Sequence, residues 1–188
     1  NKEKVLATAL FTVSVEVPEW NNTPSGNYLY IARKDSRPVM QAIMKNNNVK
    51  SGDEFEIRLN FKYISGYPSI YPTSNSSTLG QITLFPNGIV KVFNGQWVAL
   101  EENYKLNEWN KLIIKYTNLS QSASISLNNS DSETLLLNRN EDIGDLNGFI
   151  LQTDGGNTEF NVDNIQVVNV TKGEELFLDD FEISTIEK

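Results

Sequence analysis

Aromatic side chains set among amides and hydroxyls are the part of this sequence most suited to chemistry. Tyr63, Tyr67 and Tyr71 recur at intervals of four residues, Trp97 follows an asparagine-glycine turn, and Trp20 lies in an asparagine-rich loop. The apolar faces of sugar rings stack on Trp and Tyr, and neighbouring Asn, Gln, Asp and Arg side chains bind the sugar hydroxyls. We therefore predict a carbohydrate-binding surface formed by Tyr67, Tyr71 and Trp97 together, with Tyr63 and Trp20 as further candidates.

The residue types that the chain lacks exclude several kinds of catalytic site. It contains no histidine and no cysteine, which excludes histidine-centred triads, thiol nucleophiles and zinc sites with thiolate or imidazole ligands. Glu54 and Glu56 point to one face of a predicted strand, and we interpret them as a solvated strand face rather than as a glycosidase pair. We therefore favour a non-catalytic protein, since an enzyme would need carboxylates that the sequence alone cannot bring together.

Three acidic residues towards the end of the chain could bind a cation. Asp163, Asp179 and Asp180 lie in predicted terminal strands, and calcium accepts carboxylate and carbonyl oxygens. They are therefore candidates for a structural calcium site, with a spacing unlike that of an EF-hand loop. The alternative is that they are polar strand-edge residues that prevent pairing with other chains. No other cofactor is expected.

Charge and hydropathy limit the partners of the chain. Its 24 acidic and 16 basic residues give a net charge of −8, which would repel a phosphate backbone, so nucleic acid is not an expected partner. The sequence contains no run of 18 apolar residues, so no membrane span is expected. The N-terminus has no clear signal peptide, and we interpret the chain as mature or truncated.

Apolar and polar residues alternate with a period of two between Leu79 and Leu127, which is typical of a sheet with one buried face. The pattern predicts an antiparallel meander of four strands, with Trp109 buried at the head of the third. The rest of the chain is expected to close a second sheet over it. The four predicted strands are residues 81–85, 90–93, 110–116 and 123–127.

Further strands are predicted on both sides of the meander, and the pattern contains almost no helix. Residues 64–78, with two Tyr-Pro pairs and seven Ser or Thr, are expected to form a long loop. Residues 153–157 are expected to form a turn between two strands. The other predicted strands are residues 5–17, 28–32, 39–44 (or one helical turn), 54–63, 135–137, 147–152 and 159–168, and 175–183 form a final hairpin.

Several of these segments also carry a family resemblance. Trp109-Asn110 opens a strand, and the last strands contain GFILQ at residues 148–152 and FNVDNIQV at residues 160–167. In this order the motifs resemble those of the concanavalin A-like lectin and glucanase jelly rolls. The likeness covers residues 80–168 and is closest to laminin-G-like modules and the related domain of 3-keto-disaccharide hydrolases. It implies a jelly roll whose concave face often holds sugar, in secreted glycan-degrading systems of bacteria, and it leaves function open.

Pattern and resemblance together predict an all-β fold, a two-sheet antiparallel β-sandwich of jelly-roll type, as a single domain over residues 1–188. The favoured function is a non-catalytic, lectin-like or accessory module that binds a polysaccharide or oligosaccharide. The alternatives are a glycoside hydrolase of the 3-keto-disaccharide type and a protein-binding adhesion domain. The expected location is secreted, periplasmic or on the cell surface, beside other domains of a larger protein.

Overall fold

The computed structural model describes residues 18–20, 23–24, 26–33, 39–43, 52–74, 78–117, 122–136 and 146–181. Within these ranges the chain forms eleven strands and no helix. No helix of the described residues is long and apolar enough to cross a membrane. The strands are β1 Leu29–Ala32, β2 Val39–Ile43, β3 Glu54–Ser74, β4 Gln81–Leu84, β5 Ile89–Phe93, β6 Trp97–Asn103, β7 Trp109–Thr117, β8 Ser122–Leu127, β9 Glu133–Leu136, β10 Leu146–Asn169 and β11 Glu174–Asp179.

Two long strands, β3 and β10, pair with each other along most of their length and organise the sheet. The second half of β3 also pairs with β4, and β5 and β6 continue the sheet on that side. The first half of β3 pairs with β7, and β8 and β9 follow. The other edge of β10 pairs with β2, β1 and β11. We call the two parts the β4 half and the β7 half.

The two halves cover one core, and the face of each long strand that points into the core switches between them. Before Gly66 the odd-numbered residues of β3, such as Phe61, are buried in the core, and after it the even-numbered residues, such as Ile70, are. Gly66 has a φ of +76°, which glycine adopts without strain. Opposite it, residues 155–158 bulge out of β10. Side chains of both halves pack in one hydrophobic cluster, which confirms the all-β antiparallel jelly-roll sandwich.

The four strands expected in the meander are present, but the expected order is wrong. A further strand, β6, lies between the second and third, and β3 separates β4 from β7. The sheet therefore contains two three-stranded meanders, one on each side of β3. Strand β6 was not predicted, because it is an edge strand in which Leu100 is the only buried residue of seven, so its pattern of alternation is weak.

The long loop expected over residues 64–78 is also wrong, because β3 continues to Ser74. Its ladder with β4 pairs only Ser69 and Ile70, and Pro68 and Pro72 flank that short ladder. A proline lacks the N–H donor of a ladder residue. The carbonyl of Pro72 still accepts a hydrogen bond from the Leu79 N–H at 2.6 Å. The two prolines are therefore tolerated, because β4 does not pair with either of them and needs no backbone N–H donor there.

The turn expected at residues 153–157 is a bulge within the continuous strand β10. The expected hairpin near the C-terminus is confirmed, since β11 pairs antiparallel with the end of β10. Residues 39–43 form a strand rather than a helical turn. The strand expected over residues 5–17 lies outside the described residues.

Candidate binding site

A hollow of about 300 Å³ lies on the β4 half, on the face opposite the core. The odd-numbered residues of β4 point into it because the even-numbered Ile82 and Leu84 are buried in the core. We call it the Trp97 hollow. Its lining residues are Tyr67, Gln81, Thr83, Phe85, Trp97, Asp154 and Gly155.

Three aromatic rings form one side of the Trp97 hollow. The ring of Phe85 lies between those of Tyr67 and Trp97, with both centroid distances at 5.3 Å and interplanar angles of 80° and 77°. These edge-to-face contacts fix the rings without covering them. Tyr67 is 39% exposed and Trp97 is 42% exposed, so both present ring surface to solvent. The Nζ atom of Lys91 lies 4.4 Å from the centroid of Phe85.

A polar floor centred on Asp154 completes the hollow. The Oδ2 atom of Asp154 accepts hydrogen bonds from the Tyr71 hydroxyl and, at 3.3 Å, from Gln81 Nε2. Its Oδ1 atom accepts one from Gln152 Nε2 at 2.7 Å. Gln81 Nε2 also lies 3.2 Å from the Thr83 hydroxyl. The carboxylate is therefore held in one orientation beside the aromatic rings.

The bulge of β10 positions this floor against Tyr67. The hydroxyl of Thr158 accepts a hydrogen bond from the Tyr67 N–H at 3.0 Å and lies 2.9 Å from the carbonyl oxygen of Gly155. A Cβ atom at Gly66 would lie 2.2 Å from Thr158 Oγ1. Only glycine lets the two strands approach this closely. The two segments that were predicted to be a loop (residues 64–78) and a turn (residues 153–157) therefore hold the lining residues of the hollow in place.

The structure brings together some of the predicted aromatic residues and not others. Tyr67 and Trp97 line the same hollow, and Tyr71 reaches it through Asp154. Tyr63 is buried, its ring lies 5.4 Å from that of Tyr104, and burial raises its pKa. Its expected place on the surface is therefore wrong. Trp20 lies on the β7 half, where its Nε1 donates a hydrogen bond to the Asn164 carbonyl oxygen at 2.8 Å.

Gln81, Thr83, Phe85 and Asp154 were missed by the sequence analysis. The first three were assigned to a strand, and the alternation QITLF showed that they share a face. Nothing in the sequence indicated that Tyr67 would pair with Asp154, since both lay in segments interpreted as connections.

The interpretation of Glu54 and Glu56 as a solvated face is wrong for the second residue. Glu56 is buried and lies 2.6 Å from Arg58 Nη2 and 2.9 Å from Lys115 Nζ. Burial acts to raise its pKa, but hydrogen bonds and charge attraction from Lys115 and Arg58 outweigh it and lower the pKa. Glu56 is therefore part of an ion-pair network. Arg58 extends this network to the Pro18 carbonyl oxygen at 2.9 Å.

The residues expected to bind calcium do not fit a metal site. Asp163 is buried, and its Oδ1 accepts a hydrogen bond from the Asn164 N–H at 2.8 Å. Asp179 accepts one from the Phe181 N–H at 2.8 Å, and burial raises its pKa. In the described part of the chain, no three acidic side chains form a group that could hold a metal ion.

Comparisons with known proteins give a fold but no family. No protein-family model matches the chain, and no curated protein matches it in sequence. A sialidase structure aligns with 77% of this chain at 11% identity and a TM-score of 0.64, and the match covers 16% of the sialidase.

Two further structures match over most of their own length. An alginate lyase of polysaccharide lyase family 7 aligns with 79% of this chain and 81% of its own, at 11% identity and a TM-score of 0.56. A carbohydrate esterase from the Shiga toxin-encoding bacteriophage phi24B aligns with 79% of this chain and 85% of its own, at 16% identity and a TM-score of 0.56. These likenesses are consistent with a jelly-roll, concanavalin A-like domain, and at such low identity they show the fold alone.

Proposed function

We propose that this chain is a non-catalytic carbohydrate-binding module and that the Trp97 hollow is its binding site. The observation that carries the proposal is the exposure of the Tyr67 and Trp97 rings beside a polar floor centred on Asp154. A sugar ring stacked on these aromatic side chains would present its hydroxyls to Asp154 and Gln81. The names of the structural neighbours (sialidase, alginate lyase and carbohydrate esterase) support a glycan-related role.

Binding is favoured over glycoside hydrolysis by the composition of the hollow. Glycosidases typically use two carboxyl groups on either side of the scissile bond. Among the described residues that line the hollow, Asp154 alone carries a carboxylate. Both of its oxygens already accept hydrogen bonds from side chains, an arrangement suited to receiving a further hydroxyl in a fixed direction.

The module belongs, in this proposal, to the laminin-G-like branch of concanavalin A-like jelly rolls. It acts as an accessory domain of a secreted, periplasmic or surface protein that uses glycans. The match to 16% of a sialidase supports the accessory role, since this fold there forms a small part of a much longer chain.

The proposal is tested by measuring the binding of the protein to a glycan array and then, by calorimetry, to the best glycan. Trp97→Ala is expected to weaken binding about tenfold or more, because an aromatic anchor dominates such a site. The control is Leu106→Ala, which removes an equally exposed apolar side chain (45%) outside the lining of the hollow. Equal weakening by both variants would contradict the proposal, as would silence on the array.

The same material tests the enzymatic alternative. Incubation with the bound glycan is expected to release no new reducing ends and no ketosugar products. If the protein cleaves the glycan and Asp154→Asn abolishes this activity, the protein is a hydrolase and not a binding module.

A further inference from the structure

A second group of aromatic and amide side chains lies on the β7 half, on the face opposite the core. The strand register places Tyr30, Asn161, Lys62 and Trp109 side by side, across β1, β10, β3 and β7. Tyr28 lies immediately before β1, and its ring lies 5.8 Å from that of Trp109 in an edge-to-face contact. We call this group the Trp109 row.

The centre of the Trp109 row contains a buried acceptor that has no hydrogen-bond partner in the part of the chain that the structure describes. Asn161 is 6% exposed, and its Oδ1 has no hydrogen-bond partner among the described residues. Buried polar atoms are nearly always hydrogen-bonded in folded proteins, so such an atom needs an explanation. A hydroxyl of a bound molecule is a donor that would satisfy this acceptor.

The two tyrosines beside the Trp109 row are exposed to a larger fraction than Tyr67 and Trp97 of the hollow. Tyr28 is 49% exposed and Tyr30 is 52% exposed. The Tyr30 hydroxyl donates a hydrogen bond to Glu159 Oε2 at 2.8 Å, which fixes the direction of its ring. Two exposed rings beside a buried amide form a second pairing of aromatic and polar side chains on a different part of the sheet.

We infer that the Trp109 row is a second carbohydrate-binding surface, which takes a neutral oligosaccharide. The exposed rings take the apolar faces of the sugar, and Asn161 Oδ1 accepts a sugar hydroxyl. The charges on this face favour a neutral ligand, because Lys62 and Lys111 are balanced by Glu159 and Asp163, all placed there by the register. The inference rests on different residues from the Trp97 hollow and stands without it.

The three tryptophans of the chain allow the two surfaces to be observed separately by NMR. The indole N–H signal of Trp109 reports on the row, and that of Trp97 reports on the hollow. The probes are cellohexaose, laminarihexaose, mannohexaose and xylohexaose, with tetragalacturonate as the acidic comparison. At least one neutral probe is expected to shift the Trp109 signal, and the shift is expected to persist in Trp97→Ala.

Two variants test the contacts. Tyr28→Ala is expected to raise the dissociation constant at the row about three- to tenfold through the loss of one aromatic contact. Asn161→Leu is expected to abolish the shift of Trp109, because it removes the Oδ1 acceptor, which has no partner among the described residues. The unfolding temperature is measured alongside to show that the variant folds. Leu106→Ala is the control and is expected to bind as the unchanged protein does.

An unmoved Trp109 signal with every neutral probe would overturn the inference, as would a shift caused by tetragalacturonate alone. Unchanged affinity in both Tyr28→Ala and Asn161→Leu would also overturn it. A shift of Trp97 without one of Trp109 would uphold the proposed function and overturn the second surface. The reverse pattern would uphold the row and overturn the hollow.

Discussion

Tyr71 lies outside the lining of the Trp97 hollow but contacts it through one hydroxyl. Because that hydroxyl is a donor to Asp154, Tyr71→Phe is expected to leave the carboxylate less firmly oriented. We expect glycan affinity to fall about three- to tenfold, equivalent to one ordinary hydrogen bond, as measured by calorimetry.

The control for Tyr71→Phe is the same chemical change at Tyr63. That hydroxyl donates to the Gly66 carbonyl oxygen at 3.1 Å and makes no contact with Asp154. Tyr63→Phe is therefore expected to bind normally. If the two variants bind alike, Tyr71 does not position the carboxylate.

The ionisation of Glu56 should make the free energy of unfolding depend on pH. Its pKa in the folded protein is lowered below the ordinary value of 4.5, so the stabilisation from its ionised form is fully present above that value. It is lost as the pH falls through the lowered pKa. In Glu56→Gln this contribution is absent, so the difference in unfolding free energy between the two proteins is expected to shrink as the pH falls from 7 to 3.

Urea unfolding at each pH measures this difference. Glu54→Gln serves as the control because it alters an exposed carboxylate on the same face of β3. A Glu56→Gln difference that stays constant down to pH 3 would show that the ion pairs with Arg58 and Lys115 contribute nothing through the charge of Glu56.

At the scale of the strands, the close pairing of β3 with the bulge of β10 depends on one glycine. Gly66→Ala forces a side chain into a left-handed conformation and against the backbone of Thr158, whose Cα would lie 2.5 Å from the new Cβ. We expect a loss of about 3 kcal/mol or more in the free energy of unfolding, measured in urea. The glycan affinity should fall as well, since Tyr67 and Asp154 flank the bulge.

Gly95→Ala separates the two causes. Gly95 also has a positive φ, of +97°, but a Cβ there meets nothing within 4 Å. Backbone strain alone should therefore cost about 1–2 kcal/mol at this position. Equal losses in the two variants would mean that the close approach at Gly66 is not needed.

The same bulge explains what the sequence could and could not show. Period-two alternation predicted β4, β5, β7 and β8 because each has one buried face. It could not predict β3 beyond Gly66, because Pro68 and Pro72 are typical of loops and only the short ladder with β4 permits them. The aromatic residues Tyr67 and Trp97 of the hollow could be chosen from their type and neighbours alone. Asp154 could not, because it joins the site by pairing with Tyr67, which is 87 residues away in the sequence.

At the scale of the molecule, β3 and β10 belong to both halves of the sheet. The central strands of each half are segments of β3 and β10, which continue into the other half. The apolar residues of both halves pack in one cluster. The fold is therefore expected to unfold in one cooperative transition. The two candidate binding surfaces, one on each half, should be lost together.

A substitution in one half should consequently be felt in the other. Leu59 is fully buried in the β7 half, and Leu59→Ala is expected to cost about 2–5 kcal/mol. In a background whose only tryptophan is Trp97, with Trp20 and Trp109 replaced by phenylalanine, the fluorescence of the β4 half is expected to report this loss in full. Its unfolding midpoint should move together with the midpoint from circular dichroism. Leu106→Ala, at an exposed position, should move neither midpoint.

A Trp97 midpoint that stays in place while the circular dichroism transition splits would show that the halves unfold separately, and that the shared strands do not couple them.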